Sequence, residues 1–200
     1  MSDEEGRAAV GLARETLDSF VGGKNPKLRS WDTGFLSEMR GVFVTLNTTE
    51  AGHEKLRGCI GFPYPVKKLG EAIQEATVMA ASEDPRFHPV GSGELRSIVV
   101  EVSVLTHPTA VHAQRRQDIP GQVRIGEDGL IMSRAHFSGL LLPQVATEFG
   151  LGPEEFLSEA CMKAGLPPDA WLDKETEVQV FQAEIFAEKG PKGDVERVKI

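Results

Sequence analysis

Basic charge is scarce in this chain: 22 lysines and arginines stand against 30 aspartates and glutamates, a formal charge of −8. A surface of that sign repels a phosphate backbone, which argues against broad nucleic-acid binding. The nearest thing to a basic cluster, Arg115, Arg116 and Arg124, has Asp118, Glu127 and Asp128 among it and reads as a mixed solvated face. Long apolar runs are missing too. The most apolar stretch, Ser97 to Thr106, is interrupted by Glu101 and is too short to cross a bilayer. The opening MSDEEGRAAV is acidic and has no apolar core of signal-peptide length, so no targeting segment is expected and the chain reads as cytoplasmic. Only Cys59 and Cys161 carry thiols, and in that compartment both are expected to stay reduced. His53, His88, His107, His112 and His136 are scattered, with no H-E-x-x-H and no C-x-x-C, so no metal site is expected. Neither a phosphate-binding G-x-x-x-x-G-K-[ST] loop nor a G-x-S-x-G elbow occurs, and Gly91-Ser92-Gly93 alone is a weak signal. No repeat or low-complexity tract is present.

What remains is an ordinary globular balance, 40% apolar and 26% charged, in a length that suits one large domain or two small lobes. Apolar groups at helical spacing predict a helix over 4–21, stopped by Gly22-Gly23 and a loop at Asn25-Pro26. The period then becomes two. Val42, Val44 and Leu46 share one face and Phe43, Thr45 and Asn47 the other. Residues 41–61 read as two antiparallel strands joined through Gly52. A helix is expected over Val66–Glu83, ended by Asp84-Pro85, and a central strand over 97–106. QVRIGEDGLIMS suggests a hairpin turning at Glu127-Asp128-Gly129, followed by a strand over 136–142. Pro143 and Pro153 open two short helices. The last strand is expected over 177–189, with Phe181, Ala183, Ile185 and Ala187 facing the core, and the tail from Gly190 should be loose. Helices and strands without a βαβ rhythm argue for an α+β fold, mainly antiparallel sheet with helices on one side.

The chemistry concentrates in KLRGCIGF, residues 55–62. Simple alternation puts Leu56, Gly58 and Ile60 on one face, with Leu56 and Ile60 in the core, and Arg57, Cys59 and Gly61 on the other. Arg57 and Cys59 would then have Cα atoms roughly 6.5–7 Å apart on one side. A guanidinium so placed favours a thiolate. Glycine weakens a strand, so Gly58 and Gly61 mark a bulge or a close approach, and their N–H groups are candidates to receive an anion. The bland alternative is a small core cysteine. Cys161, on the apolar side of a helix, is expected to be just that. Asp84 and Arg86 either fix a turn or line the pocket. Glu101, inside an apolar strand, must be paired or protonated; it pairs with Arg57 or Arg86 as architecture, or it serves as a proton donor. Gln144 and Glu148 share a helix face and read as pointing outward, and His136 is a weak candidate for a base.

LRGCIG resembles the signature of the AMMECR family. DPRF at 84–87, EVSVLT at 101–106, LLLPQVATE at 140–148 and FLSEACMKAGLPPDAWL at 156–172 agree with it in order. The resemblance covers about residues 5–188 and looks like the prokaryotic branch. It implies a cytosolic α+β module with a larger lobe, here about 1–106 plus 143–190, and a smaller one, about 107–142. It supplies no settled reaction and no cofactor. It implies association with Memo-like proteins and with a radical S-adenosylmethionine enzyme. Arg57, Gly58, Cys59 and Gly61 fall on the central motif, and Asp84, Arg86 and Phe87 on the second. His88 stands where the family commonly has proline, so it is not taken as a shared base. Gln144, in a matching stretch, is a further binding candidate. Two functions follow. One is an enzyme or enzyme subunit with a thiol-centred pocket, where Cys59 is nucleophile or substrate anchor, Arg57 holds the thiolate or an anionic substrate, and Glu101 takes part. The other is an adaptor that docks on a partner enzyme, with KLRGCIGF as the recognition edge.

Overall fold

The structure, a computed structural model, describes residues 1–24, 34–50 and 53–199. The expected loops at Asn25-Pro26 and at Gly52 lie outside the described residues. The chain divides into two compact units, residues 1–105 with 184–199, and residues 106–183.

The first unit is a five-stranded sheet in the order β2-β1-β3-β8-β9, with β1 Val42–Glu50, β2 His53–Phe62, β3 Ile98–Leu105, β8 Ala183–Glu188 and β9 Val195–Val198. Cross-strand pairing puts Val42, Val44 and Leu46 opposite Val104, Val102 and Val100, so their side chains share one face. Helices α1 (Asp3–Val21) and α2 (Leu69–Ser82) complete the core on that face with Val10, Ala13, Leu17, Ile73, Ala76 and Ala80. Helix α1 begins at a capping box, Ser2 with Glu5, which satisfies two end N–H groups reciprocally. Gly6 leaves room for the Phe186 ring, which a Cβ there would strike. Behind β3, Glu188 accepts hydrogen bonds from Arg14 Nε (2.8 Å) and from the Val100 N–H (3.0 Å).

The second unit is a four-stranded sheet in the order β4-β7-β5-β6, with β4 Thr109–Ala110, β5 Gly129–Arg134, β6 Phe137–Leu141 and β7 Glu177–Phe181. Its own core joins Leu130, Met132 and Val178 to Phe156, Leu157 and Cys161 of α4 (Pro153–Lys163). Helix α3 is Pro143–Glu148.

Several expectations need correction. Residues 143–183 belong with 106–142 rather than with the larger lobe, because the apolar side of α4 covers β5 and β7. The final strand is two, β7 and β8, broken at Gln182 and assigned to different sheets. Phe186, which the alternation left facing outward, is the β8 side chain in the first core. The tail is not loose: β9 pairs with β8, and Arg197 donates to Asp3 and Glu184 while stacking on Phe186 at 4.5 Å. The hairpin turns at Ala135-His136, where Ala135 has φ 53°. Glu127-Asp128 is a separate turn, closed because the Asp128 carboxylate accepts the Arg124 N–H and its guanidinium. Helix α2 starts at Leu69, after an extended Lys68.

Candidate functional site

β2 is an edge strand, and its middle is irregular. Leu46 pairs with Gly58, but Asn47 pairs with Leu56, so Arg57 has no partner on β1. This is a β-bulge, one extra residue that resets the alternation. Leu56 therefore does not share the core face with Ile60 as simple alternation required; it follows Asn47 to the other face and is 37% exposed. Gly58 is a matter of packing. It faces α2 so closely that a Cβ would overlap the Ala80 carbonyl. Gly61 is likewise filled from both sides, by the Val42 carbonyl and by the Phe43 ring, 2.6 Å from where a Cβ would stand. The space beside both glycines is taken by the close approach of backbone and ring.

The bulge also separates the two residues that were expected to act together. Arg57 turns to Glu94, which lies in a short 3-10 turn over Ser92–Arg96. Arg57 Nε donates to Glu94 at 2.7 Å and Nη2 at 3.1 Å, and the arginine lowers the Glu94 pKa. The cation that acts on the Cys59 thiol is Arg86.

Cys59 pairs with Thr45, and Thr45 with Glu101, so a row of thiol, hydroxyl and carboxylate crosses β2, β1 and β3 on the face away from α1 and α2. Thr45 Oγ1 donates to Cys59 Sγ at 3.3 Å. Burial pushes the Cys59 thiol pKa up; the Thr45 hydrogen bond and Arg86 work against this, and Glu101 and Asp84 add to it. The balance of these effects favours the neutral thiol, and the cation acting on it is Arg86 where Arg57 was expected.

The backbone of Cys59 is held from the open side of the edge. Asp84, 3% exposed, accepts the Cys59 N–H at 2.9 Å. It also accepts the Arg86 N–H at 3.1 Å, Nε at 2.9 Å and Nη2 at 2.7 Å. Arg86, together with these N–H groups, holds the Asp84 carboxyl well below the usual carboxylate range. Arg86 Nη2 lies 3.5 Å from the Cys59 carbonyl, so Asp84-Pro85-Arg86 fastens a donor and an acceptor that an edge strand leaves free. Phe87, half-buried, lies between two guanidiniums, Arg86 at 5.4 Å and Arg57 at 5.7 Å from its ring centroid.

A family profile described as AMMECR1 matches residues 10–186. The chain belongs to the AMMECR1 family. It is 50% identical over 191 residues to a protein of Methanothermobacter thermautotrophicus, covering 95% of this chain and 97% of that one. Against a Methanosarcina barkeri protein it is 48% identical over 201 residues, covering 98% and 96%. The crystal structure of an uncharacterised Pyrococcus horikoshii protein superposes with a TM-score of 0.92 at 45% identity, over 100% of this chain and 99% of that one.

In this AMMECR1 chain, Arg57, Gly58, Cys59, Gly61, Asp84, Arg86, Phe87 and Glu101 all fall in the first unit. Gln144 stands in the second, on α3, half-buried with Oε1 unpaired among the described residues. Cys161 is a fully buried free thiol in the second core, as its helix face predicted. His136 is exposed and stacks on Phe137 at 4.4 Å. Sequence reasoning missed Thr45 and Glu94. Alternation placed Thr45 on the correct face, but its partner depends on register; Glu94 sits in a loop with no periodic signal. Among the described residues, no helix is long and apolar enough to cross a membrane, and no three His, Cys, Asp or Glu side chains are grouped to hold a metal ion.

Proposed function

We propose that the first unit is a small-molecule binding module, in the cytoplasm, whose ligand lies on the Glu101–Thr45–Cys59 row, with Cys59 as a neutral anchor rather than a nucleophile. One observation carries this reading: the half-buried thiol accepts a hydrogen bond from Thr45, and its burial favours the neutral form, so its own S–H remains to donate. A neutral thiol is a poor nucleophile and a serviceable hydrogen-bonding group. The test is the pH dependence of Cys59 alkylation by iodoacetamide in the native protein, followed at the Cys59 peptide. The expected apparent pKa lies above that of a free thiol. A value at or below the free thiol returns Cys59 to the role of nucleophile, and no reaction short of unfolding removes the site altogether.

The adaptor reading draws on a different observation. Arg57, Gly58, Gly61 and Asp84 are all engaged in holding β2 in place, as an edge prepared for contact requires. The partner on this reading is a Memo-like protein or a radical S-adenosylmethionine enzyme, a choice that rests on the family resemblance. Co-purification that survives Cys59→Ala supports it; absence of both partners at micromolar concentration refutes it.

A further inference from the structure

We infer that the ligand of the Cys59 row carries an anionic head, a carboxylate or a phosphate, received by Arg86 Nη1 together with the Cys59 S–H. The inference rests on the binding-module reading above and adds the chemical class of the ligand. Arg86 is built as such receivers are. Its Nε and Nη2 are bound to the two oxygens of Asp84, and its guanidinium lies against the Phe87 ring. Those contacts fix the fork before a ligand arrives, so little side-chain entropy is lost on binding. The remaining Nη2 hydrogen is directed to the Cys59 carbonyl at 3.5 Å. Nη1 makes no hydrogen bond to protein among the described residues, and the side chain is 52% exposed. Two N–H donors are thus presented to solvent beside a thiol whose sulfur is already accepting from Thr45.

The charges of the neighbourhood leave that end of the fork usable. Asp84 is 3% exposed and its oxygens are turned inward onto Cys59 N–H and Arg86, so the solvent side of the pair is the cationic side. Arg57 and Glu94 neutralise one another. Glu101, at the far end of the row beyond Thr45, and Glu54, which accepts from Asn47 Nδ2 at 3.1 Å, are carboxylates on the same side of the sheet; Glu101 sets a direction, with the anionic head of the ligand toward Arg86 and its polar body toward Glu101. The two hydrogens of Nη1 suit the oxygens of either a carboxylate or a phosphate, since both are anionic acceptors.

The test compares two alkylating reagents of nearly the same size, anionic iodoacetate and neutral iodoacetamide, by their rates at the Cys59 peptide. Any change in thiol ionisation alters both rates and cancels in the ratio. In Arg86→Gln the iodoacetate-to-iodoacetamide ratio should fall roughly fourfold at low salt, the factor one unit charge about 5 Å away exerts on an anion in water. Arg86→Lys should recover most of that loss, since it keeps the unit charge. In the unsubstituted protein, millimolar inorganic phosphate should protect Cys59 from iodoacetamide more than sodium chloride of equal ionic strength. An unchanged ratio in Arg86→Gln, no recovery in Arg86→Lys, or equal effects of the two salts overturns the inference. If neither reagent reaches native Cys59, it is the binding-module reading that fails.

Discussion

Replacing Asp84 by alanine tests the structural logic of the motif most directly. The carboxylate is 3% exposed and accepts four hydrogen bonds: one from the Cys59 N–H and three from Arg86. Summing them overcounts, because Arg86 is half-exposed and recovers water when its partner is gone. The lasting losses are the Cys59 amide, left without an acceptor at about 1–3 kcal/mol, and the fastening of the turn, a charged hydrogen bond at about 1.5–3 kcal/mol. A loss of about 3 kcal/mol is expected, equivalent to a melting midpoint lower by roughly 6–12 °C for a chain of this size. The midpoint is read by circular dichroism at neutral pH. The loss should also vanish with acid. Asp84 has its folded pKa depressed, so its contribution is fully present above the unfolded carboxylate value of about 3.9 and declines as pH falls toward the folded value. Wild type and Asp84→Ala should therefore converge as the pH drops below that of the unfolded carboxylate. A change within about 0.5 kcal/mol at neutral pH, the range of ordinary surface sites, would refute the claim that this turn fastens the edge strand.

Other outcomes follow from the same geometry. Arg86→Ala should raise the apparent pKa of Cys59 further, while Arg57→Ala leaves it in place, as read by the pH dependence of alkylation; a larger effect from Arg57 would contradict the pairing of Arg57 with Glu94. Gly58→Ala forces a methyl against the Ala80 carbonyl of α2 and should cost about 1–3 kcal/mol by chemical denaturation; a neutral result would mean the helix shifts freely. Cys59→Ser should change stability by roughly 0.5 kcal/mol or less, since its hydroxyl keeps the Thr45 hydrogen bond, whereas a loss beyond about 1 kcal/mol alongside a tolerated Cys59→Ala would make Cys59 a core residue.

Local pattern was enough for much of the molecule. The helical stripe of α1, the alternation of Val42, Val44 and Leu46, and the apolar β3 each state their own secondary structure, because burial of one face imposes a period on the chain. The glycines around Cys59 and the isolated Glu101 also drew attention to neighbouring strands of one sheet, since each is costly in a plain strand. What the sequence alone did not determine is everything that depends on pairing. A bulge is a relation between two strands, so nothing in KLRGCIGF announces that Arg57 is the unpaired residue or that Leu56 changes face. The choice of Arg86 over Arg57 as the cation near the thiol follows from that bulge and from a turn 27 residues away docking on the edge. The split of residues 177–188 between two sheets is of the same kind: alternation runs on past Gln182, but the hydrogen-bonding partners on either side of it lie in different units. Periodicity reports which face is buried; only the folded chain decides against what.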